Sequence, residues 1–233
     1  MYRAHHIAVV LPALDEADSL PGVLQAIPAF VDRVVVVDND STDGTGDVAR
    51  SLGAEVVLAR PRGYGTAVLA GMAHLATAPP DVLVILDADL ADAPETMPVL
   101  LDPIVEGRRD LVLSDRSRTA DPGALTAVQR FGNGLATRLI HVTTGQRYRD
   151  MGPFRAVRWR SLMVLQMEDP TWGWNVEMQM KAVHQGLRIE EVPLPYRARA
   201  RGRSKISGSL QGAARAGVRI LQAVARYARP DHP

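Results

Sequence analysis

The sequence predicts an α/β fold, a mostly parallel sheet flanked by helices, with an amphipathic helix at the C-terminus. Three observations lead there. Short β-branched and aliphatic runs recur through the first half, and helical patterns separate most of them. Such alternation implies a parallel sheet with right-handed crossovers. The length of 233 residues suits one sizeable domain and is short for two. With no internal repeat, low-complexity tract or linker composition, residues 1–207 read as one domain and residues 208–233 as a helical appendage.

The elements follow in order. Strands are expected at residues 7–11, 34–37, 56–58, 82–86 and 111–113, continuous apolar runs of the length of buried parallel strands. Asp15 is placed to cap a helix running to Ile27, and Thr42 or Asp43 to open one running to Leu52. Residues 64–77 form a third helix, and Asp92 with Pro94 starts a fourth that reaches Val105. Residues 124–142 and 173–185 read as helices, 187–192 as a strand, and 197–205 as a basic loop. In residues 208–229, Leu210, Ala213, Ala214, Gly217, Leu221, Val224 and Ala228 share one face. Gln211, Arg215, Arg219, Gln222, Arg226 and Arg229 share the other.

Composition excludes some chemistry. With no cysteine, disulfides and thiolate metal sites are ruled out, and any metal must sit on carboxylates or imidazoles. The six histidines show no ligand spacing. No apolar run reaches the roughly 18 residues of a membrane span, and the N-terminus lacks a signal-peptide core and cleavage site. The expected location is therefore cytoplasmic, and no nucleic-acid partner is expected. Residues 1–115 hold 7 Arg against 18 Asp and Glu, whereas residues 116–233 hold 20 Lys and Arg against 8 acids. Either this is a solvated surface, or an acidic metal-binding half faces a half that receives phosphate or a membrane surface.

Three strand ends carry acids. Val82-Leu-Val-Ile-Leu-Asp87-Ala-Asp89-Leu90 ends a buried strand in two carboxylates two positions apart. Ligands of open α/β sheets bind beyond such carboxyl ends, and alternation points both acids to one side. Convergent carboxylates repel unless a cation or proton joins them. Hard oxygen ligands suit Mg²⁺ or Mn²⁺, which also bridge diphosphate oxygens. The plainer alternative makes Asp87 a cap and Asp89 a turn residue. Asp38-Asn39-Asp40-Ser41-Thr42-Asp43-Gly44 follows the second strand, where Asp38 can meet a base or ribose and the rest suits turn chemistry. Leu11-Pro12-Ala13-Leu14-Asp15-Glu16 follows the first, and Glu16 either sits in a first helical turn or touches a nucleotide.

In order and spacing, these motifs resemble family 2 glycosyltransferases of the GT-A fold, which is Rossmann-like. The nearest resemblance is to dolichol-phosphate mannose synthases and related polyprenyl-phosphate sugar transferases, over residues 7–208. It implies base contacts at Pro12, Leu14 and Glu16, a nucleotide contact at Asp38, and metal ligation by Asp87 and Asp89 flanking Ala88. Arg62 and Gly63, in Arg60-Pro-Arg62-Gly63-Tyr-Gly65, stand at the family's Gly-rich turn beside the nucleotide. Arg116 and Arg130 stand where the synthases carry two phosphate-meeting Arg. Asp150-Met-Gly-Pro-Phe154-Arg155 resembles their Asp-x-x-x-Gly-Phe-Arg segment with the Gly displaced. Arg199-Ala-Arg-Gly202-Arg-Ser204-Lys205 matches an Arg-x-x-Gly-x-Ser-Lys loop whose Arg199 and Lys205 positions meet phosphates. Ala91 replaces a Gln that often serves as a further metal ligand, and Gly134 replaces a hydroxyl residue.

The resemblance implies inverting transfer of a hexose from a UDP- or GDP-sugar, with Mg²⁺ or Mn²⁺ on Asp87 and Asp89. A polyprenyl phosphate acceptor is already anionic and needs no base. An alcohol acceptor needs one, and Asp150 and Glu177 are the candidates, either being equally able to serve as a structural ion-pair partner of a nearby Arg. The alternatives are a small soluble alcohol acceptor, a sugar nucleotidyltransferase, and a non-enzymatic binder of anionic lipid. The two-faced terminal helix either lies on the inner face of an anionic membrane or packs on protein.

Overall fold

A computed structural model describes residues 1–198 and 210–228, and for 210–217 only the backbone. Arg199 and Lys205 lie outside the described residues. The strands are β1 (Ile7–Ala13), β2 (Arg33–Asp38), β3 (Glu55–Leu58), β4 (Val82–Ile85), β5 (Leu111–Asp115), β6 (Arg155–Arg158) and β7 (Ile189–Pro193). They form one sheet in the order β3-β2-β1-β4-β6-β5-β7. All neighbours run parallel except β6, which is antiparallel to both β4 and β5. The sheet is thus mostly parallel, as its apolar runs predict.

Alternation splits each strand between two layers. Ile7, Val9 and Leu11 of β1 pack beneath α1 (Leu20–Ala26), α2 (Thr45–Ser51) and α4 (Met97–Val105). Ala8 and Val10 face the opposite layer, built from α3 (Tyr64–Leu75), α5 (Ala127–Thr144), α7 (Trp174–His184) and α8 (Leu210–Tyr227). A further short helix, α6 (Trp159–Val164), follows β6 directly.

Several expectations are corrected. Helix α1 starts at Leu20, with Pro21 in its first turn, and not at Asp15. Asp15 has left-handed backbone at φ 50°, and its carboxylate accepts the Thr42 N–H at 2.7 Å. It ties two loops together where a cap was expected. Helix α2 opens after Gly44, whose φ of 85° lies where glycine is favoured. Strand β6 and helix α6 were not anticipated. Four residues with Arg at both ends do not read as a strand, yet Arg155 sits opposite Ile85 of β4 and is fully buried.

The C-terminal helix packs on protein along its described part. Ala223, Val224 and Tyr227 are buried, and Ile220 packs into the same core. The Arg226 guanidinium meets Glu168 at 3.0 Å, and Lys181 Nζ lies 5.2 Å from the Tyr227 ring centre. Val218 and Leu221 stay about half exposed. Among the described residues no helix is long and apolar enough to cross a membrane.

Candidate active site

The carboxyl ends of β1, β2 and β4 meet at one edge of the sheet and open onto a cavity of about 330 Å³. Pro12, Leu14 and Glu16 come from the end of β1, and Asp87, Ala88 and Asp89 from the end of β4. Arg62 and Gly63 come from the turn before α3. The structure therefore gathers eight residues that the motifs place at a nucleotide-sugar in one wall. Ser19 links two of these segments, its hydroxyl donating to the Ala88 carbonyl and to Glu16 Oε2, both at 2.8 Å. Asp89 is nearly buried, and its Oδ1 accepts the Ala91 N–H at 3.0 Å.

Asp38 is the exception. Asn39, not Asp38, lines the cavity. Strand alternation explains the difference. Asp38 shares the parity of Val36, which packs on the α2 side; its Oδ1 accepts the Ser41 N–H at 2.9 Å. A Cβ on Gly46 would come within 2.7 Å of Asp38 Oδ2. Asn39 turns to the α3 side. Its amide donates to the Ala59 carbonyl at 2.9 Å and its Oδ1 accepts the Gly63 N–H at 2.6 Å, so it fastens the glycine turn.

That turn is held from outside by residues 169–172. The Gly65 N–H donates to the Thr171 carbonyl at 3.1 Å and the Thr66 N–H to the Pro170 carbonyl at 3.0 Å. A side chain at Gly65 would collide with the Asp169 carbonyl. Thr171 and Trp172 line the cavity, and the Trp172 ring stacks on Tyr64 with centroids 5.2 Å apart. Arg219 of α8 completes the wall. The hydrophilic side of a terminal helix carried no signal for that placement.

A second cavity of about 340 Å³ is lined by Ser117, Asp121, Arg130, Asn133, Arg149 and Asp150, among others. Gly134 also borders it. Arg130 has no ion-pair partner among the described residues, while the exposed Arg149 stands 3.8 Å from Asp115. Arg149 was not anticipated, since it falls just before the Asp150 motif.

Asp150 and Glu177, the two candidate bases, are both saturated. Asp150 accepts the Arg116 backbone N–H, Arg116 Nε at 2.6 Å, Arg116 Nη2, the Asn133 amide at 2.7 Å and the Met151 N–H. Burial pushes its carboxyl up, but the Arg116 charge and these hydrogen bonds outweigh burial and hold it below the ordinary carboxylate range. Arg116 is correspondingly buried, with its guanidinium 4.7 Å from the Tyr196 ring centre. It lines neither cavity. Its guanidinium is hydrogen-bonded to Asp150.

Glu177 is fully buried and lines neither cavity. It accepts the Glu168 N–H at 2.8 Å, the Asp169 N–H at 2.9 Å and Lys181 Nζ at 2.8 Å. Its work is to anchor the segment that holds the glycine turn. Asp92 is buried, its Oδ2 has no hydrogen-bond partner among the described residues, and burial pushes its carboxyl well up, but it also lines neither cavity.

Asp87 and Asp89 can hold a hard divalent cation. Mg²⁺ and Mn²⁺ are commonly bound through one or two carboxylates and complete their shell with water and substrate phosphate. Among the described residues no three His, Asp or Glu gather at one point, so these residues do not build a closed cage. This donor set fits a cation shared with a bound diphosphate.

Comparison with known proteins identifies the family. Residues 8–165 match the model of the glycosyl transferase family 2. An uncharacterised glycosyltransferase of Mycobacterium tuberculosis is 37% identical over 206 residues, 88% of this chain and 92% of that protein. A dolichyl-phosphate hexose transferase of Haloferax volcanii is 35% identical, over 91% of this chain and 92% of its own. An undecaprenyl-phosphate mannosyltransferase of Micrococcus luteus is 33% identical, over 89% and 90%. Among solved structures, glucosyl-3-phosphoglycerate synthase of M. tuberculosis superposes with a TM-score of 0.76 at 24% identity, covering 96% of this chain and 81% of its own. The same synthase in complex with Mn²⁺, UDP and glucosyl-3-phosphoglycerate gives a TM-score of 0.74 at 24% identity, over 95% and 81%. The fold is GT-A, and the chain belongs to the family 2 glycosyltransferases as a hexosyltransferase.

Proposed function

We propose that the protein transfers a hexose, with inversion, from a UDP- or GDP-sugar to a polyprenyl phosphate. The observation that carries this reading is the pairing of two cavities. One presents Asp87 and Asp89 beside Pro12, Leu14, Glu16 and Arg62. The other presents Arg130 and Arg149. The first suits a nucleoside diphosphate with a divalent cation, Mn²⁺ or Mg²⁺, on Asp87 and Asp89. That cation supplies neutralisation of the leaving diphosphate. The second suits an anionic acceptor. On sequence resemblance, Arg199 and Lys205 join the acceptor or diphosphate contacts.

The acceptor's chemistry follows from the state of the carboxylates. A phosphate monoester, with a second pKa of about 6, is already ionised at neutral pH. Its oxygen forms the new bond to the anomeric carbon while the bond from that carbon to the nucleoside diphosphate breaks on the opposite face. No proton moves, so no base is required. An alcohol would lose a proton, and Asp150 and Glu177 are both occupied by other donors. The named relatives from H. volcanii and M. luteus support a polyprenyl phosphate. In this reading the protein works from the cytoplasmic side, against the membrane surface that holds its acceptor. The described inner face of α8 is occupied by packing. The apolar side chains left exposed on α5 and α8 include Phe131, Val218 and Leu221.

Purified protein with Mn²⁺ or Mg²⁺, offered a panel of UDP- and GDP-hexoses with a short polyprenyl phosphate or the matching polyprenol, tests the proposal. Glycosylation of the phosphate and not of the alcohol is expected. Transfer to soluble hydroxyl acceptors alone would replace the acceptor half of the reading, and no turnover of any hexose donor would overturn the donor half.

A further inference from the structure

The C-terminal helix contributes a side chain to the cavity holding Asp87 and Asp89. Arg219 lines it together with Arg62, Glu16 and those two acids. The two cations are not equivalent. Arg62 donates to the Asp40 carbonyl at 2.5 Å and stands 3.4 Å from the Asp40 carboxylate. Arg219 is exposed and has no ion-pair partner among the described residues. Its neighbours along α8 are differently engaged: Arg226 is paired with Glu168, and Ala223, Val224 and Tyr227 are buried.

The helix that presents Arg219 is fixed to the cavity wall. A Cβ on Gly173 would come within 3.2 Å of Ala223 Cβ, so α8 lies directly on the start of α7. Gly173 follows Thr171 and Trp172, which also line the cavity. The Arg226–Glu168 pair and the Lys181–Tyr227 contact clamp the same segment from its other end. A guanidinium without an ion-pair partner among the described residues, on a packed helix and lining the same cavity as two carboxylates, suits an anion that also binds a cation held by those carboxylates. A diphosphate has that character, and a guanidinium can take two of its oxygens at once.

We propose that Arg219 binds the diphosphate of the nucleotide-sugar donor, making α8 part of the donor site. The inference rests on the donor reading given above. It also separates α8 from a purely membrane-facing role, because one of its basic side chains lines the cavity.

Calorimetry with Mn²⁺ present tests it, using UDP, GDP, uridine and guanosine as probes against wild type, Arg219→Ala and Arg219→Lys. Loss of a charge-assisted contact to a phosphate weakens the preferred nucleoside diphosphate by about tenfold or more in Arg219→Ala. Uridine and guanosine binding stays unchanged, Arg219→Lys falls between, and melting temperatures match wild type because the side chain is exposed. Equal diphosphate binding by wild type and Arg219→Ala overturns this inference alone. Equal weakening of nucleosides and diphosphates also overturns it, by tracing the effect to the shape of the cavity. Failure of wild-type protein to bind either diphosphate overturns the donor reading, and this inference with it.

Discussion

Replacing Asp150 by Asn isolates what the buried Arg116–Asp150 pair does. In the native protein the carboxylate accepts five hydrogen bonds, three of them from Arg116. Asn keeps the shape and one acceptor oxygen, but it removes the charge and turns two N–H groups toward existing donors. Arg116 is 6% exposed, so its charge has no route to water. Breaking a buried pair from one side costs about 3–5 kcal/mol. For a chain of this size each kcal/mol moves the melting temperature by about 2–4 °C, so a fall of about 6–20 °C is expected at pH 7.

The pH dependence carries a sign. The folded carboxyl of Asp150 is held below its ordinary value. Its stabilisation is therefore complete above the unfolded-state pKa of about 3.9 and lost as pH falls through the lower folded value. The gap between wild type and Asp150→Asn should be flat from pH 7 down to about 4.5 and close below about 3.9. The double variant Arg116→Met/Asp150→Leu should recover much of the loss, since neither charge is then left alone. Thermal melts across that pH range are sufficient. A fall of less than about 2 °C at pH 7, or a gap that does not close in acid, would refute the argument that the pair is a structural unit.

Three other substitutions probe the same architecture. Asp89→Asn should abolish metal-dependent turnover by removing one carboxylate from the pair; more than about a tenth of activity remaining, a loss under roughly 1.4 kcal/mol, counts against the metal assignment. Glu177→Gln should lower stability by about 1–3 kcal/mol through its lost partners, yet leave the shape of the pH–rate profile intact; disappearance of a limb of that profile would restore Glu177 as a base. Gly65→Ala places a methyl against the Asp169 carbonyl, so both melting temperature and nucleotide affinity should fall, and an unchanged pair of values would show that the turn yields freely.

The clustering at the first cavity was legible because the acids there follow buried strands. Position along the chain then translates directly into position at the sheet edge, which is why Glu16, Asp87 and Asp89 fall together. Asp38 stands one residue before the position that lines the cavity. Its place at a strand end is right, but alternation sends it to the α2 face and leaves Asn39 at the cavity. Applying the parity of Val36 and Val37 would have separated the two. The buried partners of Arg116 and Glu177 were not legible for a different reason. A charged residue beside a motif looks the same in sequence whether it meets a ligand or a buried partner. Only the fold brings Asp150, 34 residues away, onto Arg116.

The division of charge between the halves of the chain now has a physical reading. Basic residues of the second half meet acids of the first at several points. Arg158 and Arg188 share Asp110, Arg197 meets Glu95, and Arg149 approaches Asp115. Part of the imbalance therefore closes within the fold, since β6 and β7 lie in the same sheet as the strands of the first half. This pairing leaves Arg130 without a partner at one cavity and Arg219 without one at the other, among the described residues. Sequence-wide charge could not single them out, because Arg158 and Arg188 have the same charge and quite different tasks. A basic residue here gains interest as a ligand contact when the acids around it are already satisfied by others, and that is a property of the packed structure.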